Sequence, residues 1–207
     1  MLTYEQRLDR DPRWALSEGG RHFDQKSSVH EALREITERL HSLGIPYAVV
    51  GGMALFLHGF RRFTEDVDIL VTAEGLKSAH AHLVGLGYVP LFQGSKNLRD
   101  ASRGVRIEFL LTGGFPGDGK PKPVSFPDPA GASVEIDGIR CLALEKILEL
   151  KLASGMTNPG RVRDLGDVQE LIRHLDLGIE IGNRLDPSVR DKFVELWKGV
   201  KADQIEP

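Results

Sequence analysis

The sequence contains almost no cysteine and no long apolar run. A single cysteine, Cys141, among 207 residues excludes an internal disulfide and cannot by itself form a thiolate metal site. No apolar stretch approaches the roughly 20 residues that a membrane span requires, and the N-terminal residues lack the apolar core of a signal peptide. We therefore expect a cytoplasmic protein with no membrane contact.

The sequence also has no large excess of charge of either sign. A net charge of −3 gives no general attraction to nucleic acid, so such a contact would need a local basic patch. Four cationic residues surround a predicted hairpin and form either such a patch or an ordinary polar surface: Lys96, Arg99, Arg103 and Arg106. With 41% hydrophobic and 28% charged residues, the composition is that of a globular domain.

The spacing of apolar residues predicts three regions. Residues 1–26 are polar and weakly periodic, which predicts a frayed or loosely docked N-terminal arm. Residues 27–142 form a core of predicted helices (29–43, 53–58, 76–86), strands (45–50, 67–71, 88–92) and hairpins (97–111, 133–142). A loop rich in glycine and proline crosses residues 113–131. Residues 143–207 form a helical region, with helices predicted at 144–154, 163–175 and 187–200.

One segment of the predicted core combines carboxylates with a glycine turn. Asp66 and Asp68 lie two residues apart in an apolar strand, so their side chains share one face. Carboxylates, completed by water and substrate phosphates, are the usual Mg²⁺ ligands in proteins. Upstream, Gly51-Gly52 lets the backbone approach a ligand and directs amide donors at phosphate. Either feature alone is common, but together they predict adjoining metal and phosphate sites.

This combination resembles the signature of the DNA polymerase β-like nucleotidyltransferase superfamily. In that signature a Gly-Gly or Gly-Ser turn and a short helix precede a strand that bears Asp-x-Asp. Thirteen residues separate Gly52 from Asp66, and the intervening Gly59, Arg62 and Thr64 resemble the branch that contains AbiEii-type toxins and related uncharacterised bacterial proteins. The resemblance implies an α/β (α+β) nucleotidyltransferase fold, with a mixed twisted sheet flanked by helices and a C-terminal helical part.

Members of this superfamily usually supply a third carboxylate from a neighbouring strand. The candidate is Glu108, which shares one strand face with Arg106 and Leu110. The usual residue is Asp, so the longer Glu departs from the family pattern and affects the expected metal geometry. The alternative role for Glu108 is a solvated edge residue or a partner of Arg106.

Charged residues also occupy predicted buried positions in the C-terminal helices. Lys151 continues the apolar stripe that begins at Leu144, and Asp164 is in register with later apolar residues, whereas Asp167 and Arg163 are expected toward the flanks. Periodicity alone favours a buried ion pair between Lys151 and Asp164.

The same residues also take part in the resemblance. Residues 149–152 and 163–168 are similar to the downstream Lys and Asp motifs of AbiEii-like proteins, which belong to the active site. The resemblance therefore implies that Lys151 contacts nucleotide phosphate and that Asp164 orients it.

The resemblance implies a complete site and reaction. Mg²⁺ (or Mn²⁺) would be held by Asp66, Asp68 and Glu108. A nucleoside triphosphate would be bound by Gly51, Gly52, Arg62, Thr64, Lys151 and Asp164. The reaction moves a nucleoside monophosphate to a hydroxyl of RNA, protein or a small molecule, and AbiEii-type relatives act as toxins paired with an antitoxin.

Two alternatives remain at this stage. The first is a non-catalytic nucleotide-binding or regulatory protein that keeps the fold, and the Glu at position 108 favours it. The second is a Mn²⁺-dependent glycosyltransferase, which would use Asp-x-Asp but would leave the Gly-Gly turn unexplained.

Overall fold

The computed structural model describes residues 2–203, in which seven strands form one sheet and helices flank it. The helices are α1 (Tyr4–Arg10), α2 (Pro12–Phe23), α3 (Ser28–Ser42), α4 (Gly51–Leu57), α5 (Ala73–Leu83), α6 (Pro129–Ala132), α7 (Leu144–Thr157), α8 (Val162–His174) and α9 (Pro187–Asp203). The strands are β1 (Tyr47–Val50), β2 (Asp66–Val71), β3 (Tyr88–Pro90), β4 (Leu98–Asp100), β5 (Arg106–Leu111), β6 (Ser133–Ile136) and β7 (Ile139–Leu142). Among these residues, no helix is both long and apolar enough to span a membrane.

The sheet is mixed, and its strand order is β3-β4-β5-β2-β1-β7-β6. Strand β2 lies at its centre, parallel to β5 and antiparallel to β1. Alternate residues Val67, Ile69 and Val71 of β2 are fully buried, as expected for a central strand with an apolar face. The predicted α/β class, a mixed sheet flanked by helices with a helical C-terminal part, is confirmed.

The register of the central strands brings distant parts of the sequence together. Asp66 pairs with Arg106 and Asp68 pairs with Glu108 across β2 and β5. On the other side, Val50 at the end of β1 lies opposite Asp68, so the turn that follows Val50 passes directly beside this carboxylate. The sheet therefore places the glycine turn and all three predicted metal ligands in one neighbourhood.

Most of the predicted elements between residues 27 and 203 are confirmed within three residues at each end. A capping-box pattern at residues 28–31 predicts Ser28 as the N-cap of α3, and this prediction is wrong. The N-cap is Ser27, whose side chain accepts the His30 N–H. Glu31, the last residue of the pattern, instead forms ion pairs with Arg21 and Arg103.

The N-terminal arm is also more ordered than expected. Residues 4–23 form α1 and α2, and α1 begins with a reciprocal capping box between Thr3 and Gln6. The Tyr4 side chain is 1% exposed, and its backbone N–H donates to the Gly104 carbonyl at 3.1 Å. The prediction of a frayed or loosely docked arm is therefore wrong, because local caps and the buried side chains of Tyr4, Glu18 and His22 fix the segment without an extended apolar stripe.

Candidate metal and nucleotide site

A cleft of about 550 Å³ is lined by residues of β2, β5, α4, α7 and α8. Its volume lies within the range of about 300–1,000 Å³ that is typical of small-molecule sites. All nine residues that the sequence predicts for the site line this cleft: Gly51, Gly52, Arg62, Thr64, Asp66, Asp68, Glu108, Lys151 and Asp164. Their grouping is observed, whereas the ligands that they bind stay predictions.

The three carboxylates form a compact cluster at the sheet. One oxygen from each of Asp66, Asp68 and Glu108 lies within 4.8 Å of the other two. The two aspartates project from the same face of β2 because they are two residues apart, and the parallel register of β5 adds Glu108 beside them. A set of hard oxygen ligands at this separation fits Mg²⁺ or Mn²⁺, with substrate oxygens and water completing the coordination.

The electrostatics of Asp68 show an excess of negative charge in this cluster. Burial, together with the neighbouring Asp66 and Glu108 charges, raises the pKa of Asp68 to about 8. Lys151 and Arg106 oppose the rise in pKa without cancelling it. A divalent cation would relieve this repulsion directly, so the donor set fits the metal that the sequence implies.

The glycine turn packs against the carboxylates too closely for any side chain. Gly51 has a φ of +61°, and a Cβ added to it would lie 1.8 Å from Asp68 Oδ2. A Cβ on Gly52 would lie 2.6 Å from Thr64 Oγ1, and this hydroxyl donates to Asp66 Oδ1 at 3.0 Å. The two glycines are therefore required for the turn to reach the metal strand, and Thr64 orients the first aspartate.

Arg106 also belongs to the carboxylate cluster. The sequence predicts it only as one of the cationic residues around the hairpin or as a partner of Glu108. Its Nη2 donates to Asp66 Oδ2 at 2.8 Å, and its Nη1 lies 3.1 Å from Glu108 Oε1. The alternative prediction of an Arg106–Glu108 pair is thus confirmed, although Glu108 also belongs to the carboxylate cluster. The signal in the sequence is the two-residue spacing, which puts both side chains on one strand face.

A second charged network connects α7 and α8 at the cleft. Lys151 Nζ donates to Asp167 Oδ2 at 2.7 Å and to Asp164 Oδ1 at 3.0 Å. Asp164 also accepts from Ser154 Oγ at 2.6 Å, and Asp167 forms an ion pair with Arg62 Nε at 3.2 Å. The predicted Lys151–Asp164 ion pair is confirmed as part of this larger network.

The expected flank position of Asp167 is wrong. Its side chain is 5% exposed and is more buried than that of Asp164, which is 16% exposed. Asp167 is the i+3 neighbour of Asp164, so it belongs to the same inward stripe of α8 as Val168 and Leu171. Lys151 therefore has two carboxylate partners where the sequence predicts one.

No protein-family model and no curated protein sequence matches this chain. The solved structures that match this chain include proteins described as nucleotidyltransferase-like or as putative nucleotidyltransferases, all with TM-scores below 0.5. A crystal structure of ANT(2″)-Ia in complex with adenylyl-2″-tobramycin matches with a TM-score of 0.49 and 14% identity, covering 82% of this chain and 97% of the other.

Two further structures match at comparable levels. A solution structure of the antibiotic-resistance factor ANT(2″)-Ia has a TM-score of 0.49 and 15% identity over 81% of this chain and 94% of the other. An antigenic nucleotidyltransferase-like protein from Paracoccidioides brasiliensis has a TM-score of 0.44 and 20% identity over 69% and 74%. Because identities this low concern the fold alone, the chemistry of the cleft rests on its own residues.

The loop between β5 and α6 contributes part of the wall of the cleft. It is closed by two backbone hydrogen bonds, from the Gly113 N–H to Phe126 and from the Phe126 N–H to Gly114, both at 2.8 Å. Lys122 Nζ fastens it to α7 by donating to Thr157 Oγ1 at 3.0 Å. Phe126 and Pro116 line the cleft. These two side chains give it an apolar surface that the composition of the loop does not predict.

The basic hairpin, in contrast, is mostly neutralised within the molecule. Arg99 forms an ion pair with Glu5 at 2.9 Å, and Arg103 pairs with Glu35 and Asp100 at 2.8 Å each. With Arg106 held by the carboxylate cluster, three of the four cationic residues have acidic partners. This pairing favours the interpretation of an ordinary polar surface over a nucleic-acid patch.

Proposed function

We propose that this protein is a metal-dependent nucleotidyltransferase that transfers a nucleoside monophosphate from a nucleoside triphosphate to an acceptor hydroxyl. The observation that carries the proposal is the convergence of the carboxylate cluster and the tightly packed glycine turn in one cleft. Asp66, Asp68 and Glu108 would hold the metal, and their grouping in the cleft supports a site for a metal-bound phosphate group.

The proposed reaction is a displacement at the α-phosphorus. The acceptor oxygen forms a bond to this phosphorus, the bond between the α-phosphorus and the pyrophosphate oxygen breaks, and pyrophosphate leaves with the electron pair. Glu108 accepts the proton of the attacking hydroxyl. Bound Mg²⁺ supplies charge neutralisation at the triphosphate oxygens and at the leaving pyrophosphate.

The remaining predicted residues position the substrate. Gly51 and Gly52 line the cleft next to Asp68, and in the proposed complex their backbone amides donate to phosphate without an intervening side chain. Thr64 holds Asp66 in place, and Arg62 holds Asp167, which in turn holds Lys151. Preorganisation of charged groups by such contacts is the main way in which an enzyme accelerates phosphoryl and nucleotidyl transfer.

The direct test is transfer of label from each α-labelled nucleoside triphosphate, with Mg²⁺, to total RNA, cell protein or small hydroxyl compounds. The matched control is Asp66→Asn/Asp68→Asn, which keeps side-chain shape and removes two metal-binding charges. We expect transfer to one acceptor class and its loss in the control. Transfer that survives in the control would refute the assignment of the carboxylates.

One observation favours a second candidate function, a nucleotide-binding regulatory protein without catalysis. Arg106 already satisfies Asp66 and Glu108 through ion pairs at 2.8 and 3.1 Å, so the cluster is partly neutralised without a metal. This candidate predicts metal-dependent triphosphate binding with no label transfer to any acceptor class and no release of pyrophosphate.

The finer assignment places the protein in the AbiEii-type branch, as a cytoplasmic toxin with an antitoxin partner. Its support is the sequence of residues 149–168, in which Lys151 and Asp164 match the downstream motifs of that branch. We expect induced expression of the wild-type chain to arrest bacterial growth, and expression of Asp66→Asn/Asp68→Asn to have no such effect. Equal growth in both cultures would contradict the toxin assignment.

A further inference from the structure

The cleft contains a balanced set of charges, most of which already have partners. Five acidic and five basic side chains line it. Arg62 and Lys151, which the sequence predicts as phosphate ligands, are bound to Asp164 or Asp167. Arg106 is bound to Asp66 and Glu108. Three of the five cationic groups are therefore engaged with carboxylates.

The two remaining cationic residues are Arg161 and Arg163. Within residues 2–203, neither guanidinium forms an ion pair or a side-chain hydrogen bond, and both residues are exposed while lining the cleft. They lie at the connection between α7 and α8, where Arg161 ends a short 3₁₀ turn and Arg163 belongs to the first turn of α8. They are thus the available positive charge at this site.

The connection that carries these arginines is held firmly by its neighbours. Asn158 Oδ1 accepts the Gly160 N–H at 2.9 Å, and Asn158 Nδ2 donates to the Gly117 carbonyl of the facing loop at 3.2 Å. A Cβ on Gly155 would lie 2.5 Å from Leu165 Cγ, so the two helices approach closely at this point. The backbone therefore fixes where both arginines leave the chain, although their side chains are solvated.

The cost of redirecting the paired cations favours the free arginines as triphosphate ligands. Turning Lys151 toward a ligand would remove one of the two cationic partners of the buried Asp167 and would also break the ion pair with Asp164. Arg161 and Arg163 carry no such cost. Guanidinium groups also bind phosphate through two parallel hydrogen bonds, with greater directional specificity than an ammonium group.

We propose that Arg161 and Arg163 bind the phosphates of the nucleoside triphosphate that become the leaving pyrophosphate. This inference rests on the proposed function. In it, Arg161 and Arg163 replace Lys151 and Arg62 as the main cationic ligands of the triphosphate. Lys151 then acts as a positioning residue that holds Asp164 and Asp167 between the two helices.

The test is calorimetric binding of an α,β-methylene triphosphate analogue and of the corresponding monophosphate, in Mg²⁺, to full-length variants. Arg161→Ala and Arg163→Ala should each weaken analogue binding about tenfold or more, and should change monophosphate binding much less. Arg161→Lys/Arg163→Lys, which keeps the charge, should recover part of the affinity. Arg173→Ala is the matched control on α8, because Arg173 pairs with Glu170 and does not line the cleft.

The outcomes separate this inference from the proposed function. Unchanged analogue binding in both alanine variants would overturn the role of the arginines and leave the proposed function intact. Equal weakening of monophosphate and analogue binding would also overturn it, because the contact would not be with the leaving phosphates. If the wild-type chain binds Mn²⁺ but neither nucleotide, both proposals are wrong.

Discussion

Gly51→Ala tests the close contact between the glycine turn and the metal strand. The added Cβ would lie 1.8 Å from Asp68 Oδ2, and ordinary contacts begin near 3.4 Å, so the carboxylate must move by about 1.5 Å. Metal sites require ligand distances within roughly 0.2 Å of their preferred values. We therefore expect Gly51→Ala to weaken Mn²⁺ binding by at least 10–100-fold, about the loss caused when metal ligands are misoriented.

The same substitution also has a cost in stability that must be separated from the metal effect. Gly51 has a φ of +61°, and a non-glycine residue in this region costs about 1–2 kcal/mol. For a chain of this size, 1 kcal/mol shifts the melting temperature by roughly 2–4 °C. The expected decrease for Gly51→Ala is therefore roughly 2–8 °C.

Gly44→Ala is the matched control for backbone strain. Gly44 has a φ of +66°, and a Cβ added there meets no atom within 4 Å. Gly44→Ala should lower the melting temperature by a similar amount, as measured by thermal unfolding followed with circular dichroism. It should leave Mn²⁺ affinity unchanged, as measured by calorimetry. Wild-type Mn²⁺ affinity in Gly51→Ala would refute the proposed packing of the turn against Asp68.

Three further predictions follow from the structure. Because the pKa of Asp68 is raised from 3.8 to about 8 on folding, the folded state holds a proton between these pH values that the unfolded state has lost. The free energy of unfolding of the metal-free protein should therefore fall as pH rises from about 4 to about 8, as measured by denaturant unfolding at several pH values. Mn²⁺ affinity should rise over the upper part of this range, as measured by calorimetry. Lys151→Ala leaves the buried Asp167 with Arg62 alone and should lower the free energy of unfolding by about 1.5–3 kcal/mol, as measured by denaturant unfolding. Tyr4→Ala removes a fully buried aromatic and should cost roughly 3 kcal/mol, with faster proteolysis of residues 2–26.

Each of these predictions has a result that contradicts it. Asp68→Asn should remove the decrease of stability with pH, so an unchanged decrease would show that another group causes it. Wild-type stability in Lys151→Ala would show that the network of α7 and α8 contributes little. Equal proteolysis of wild-type and Tyr4→Ala protein would mean that the N-terminal helices are not docked in solution.

The strands and helices of the core were predictable because their apolar faces repeat regularly. Strand β2 alternates buried Val67 and Ile69 with Asp66 and Asp68, and α3 buries Val29, Leu33 and Ile36 on one face. The N-terminal helices escaped prediction because α2 has few buried residues and exposes Leu16 at 81%. The position of α2 depends on its caps and on two buried polar side chains: Glu18 accepts the Ser28 N–H, and His22 bonds the Arg62 carbonyl. Periodicity of apolar residues does not show such contacts.

The candidate site was only partly predictable for a different reason. Spacing along one strand or helix shows which side chains share a face, and it placed Asp66 beside Asp68 and turned Lys151 inward. Spacing does not show which strand lies next to β2, so the prediction that Glu108 lies beside Asp68 depended on the family resemblance. The ion pairs of Arg106 and Asp167 depend on tertiary contacts that no local pattern contains, and so does the absence of partners for Arg161 and Arg163 among residues 2–203.

The most direct test of the central claim is calorimetric titration of the wild-type protein with a nucleoside triphosphate, with Mg²⁺ and with the metal removed by chelation. We predict binding of one nucleotide per chain that requires the metal and is lost in Asp66→Asn/Asp68→Asn. Binding that is equally tight without metal, or unchanged in that variant, would contradict a metal–nucleotide site at Asp66, Asp68 and Glu108.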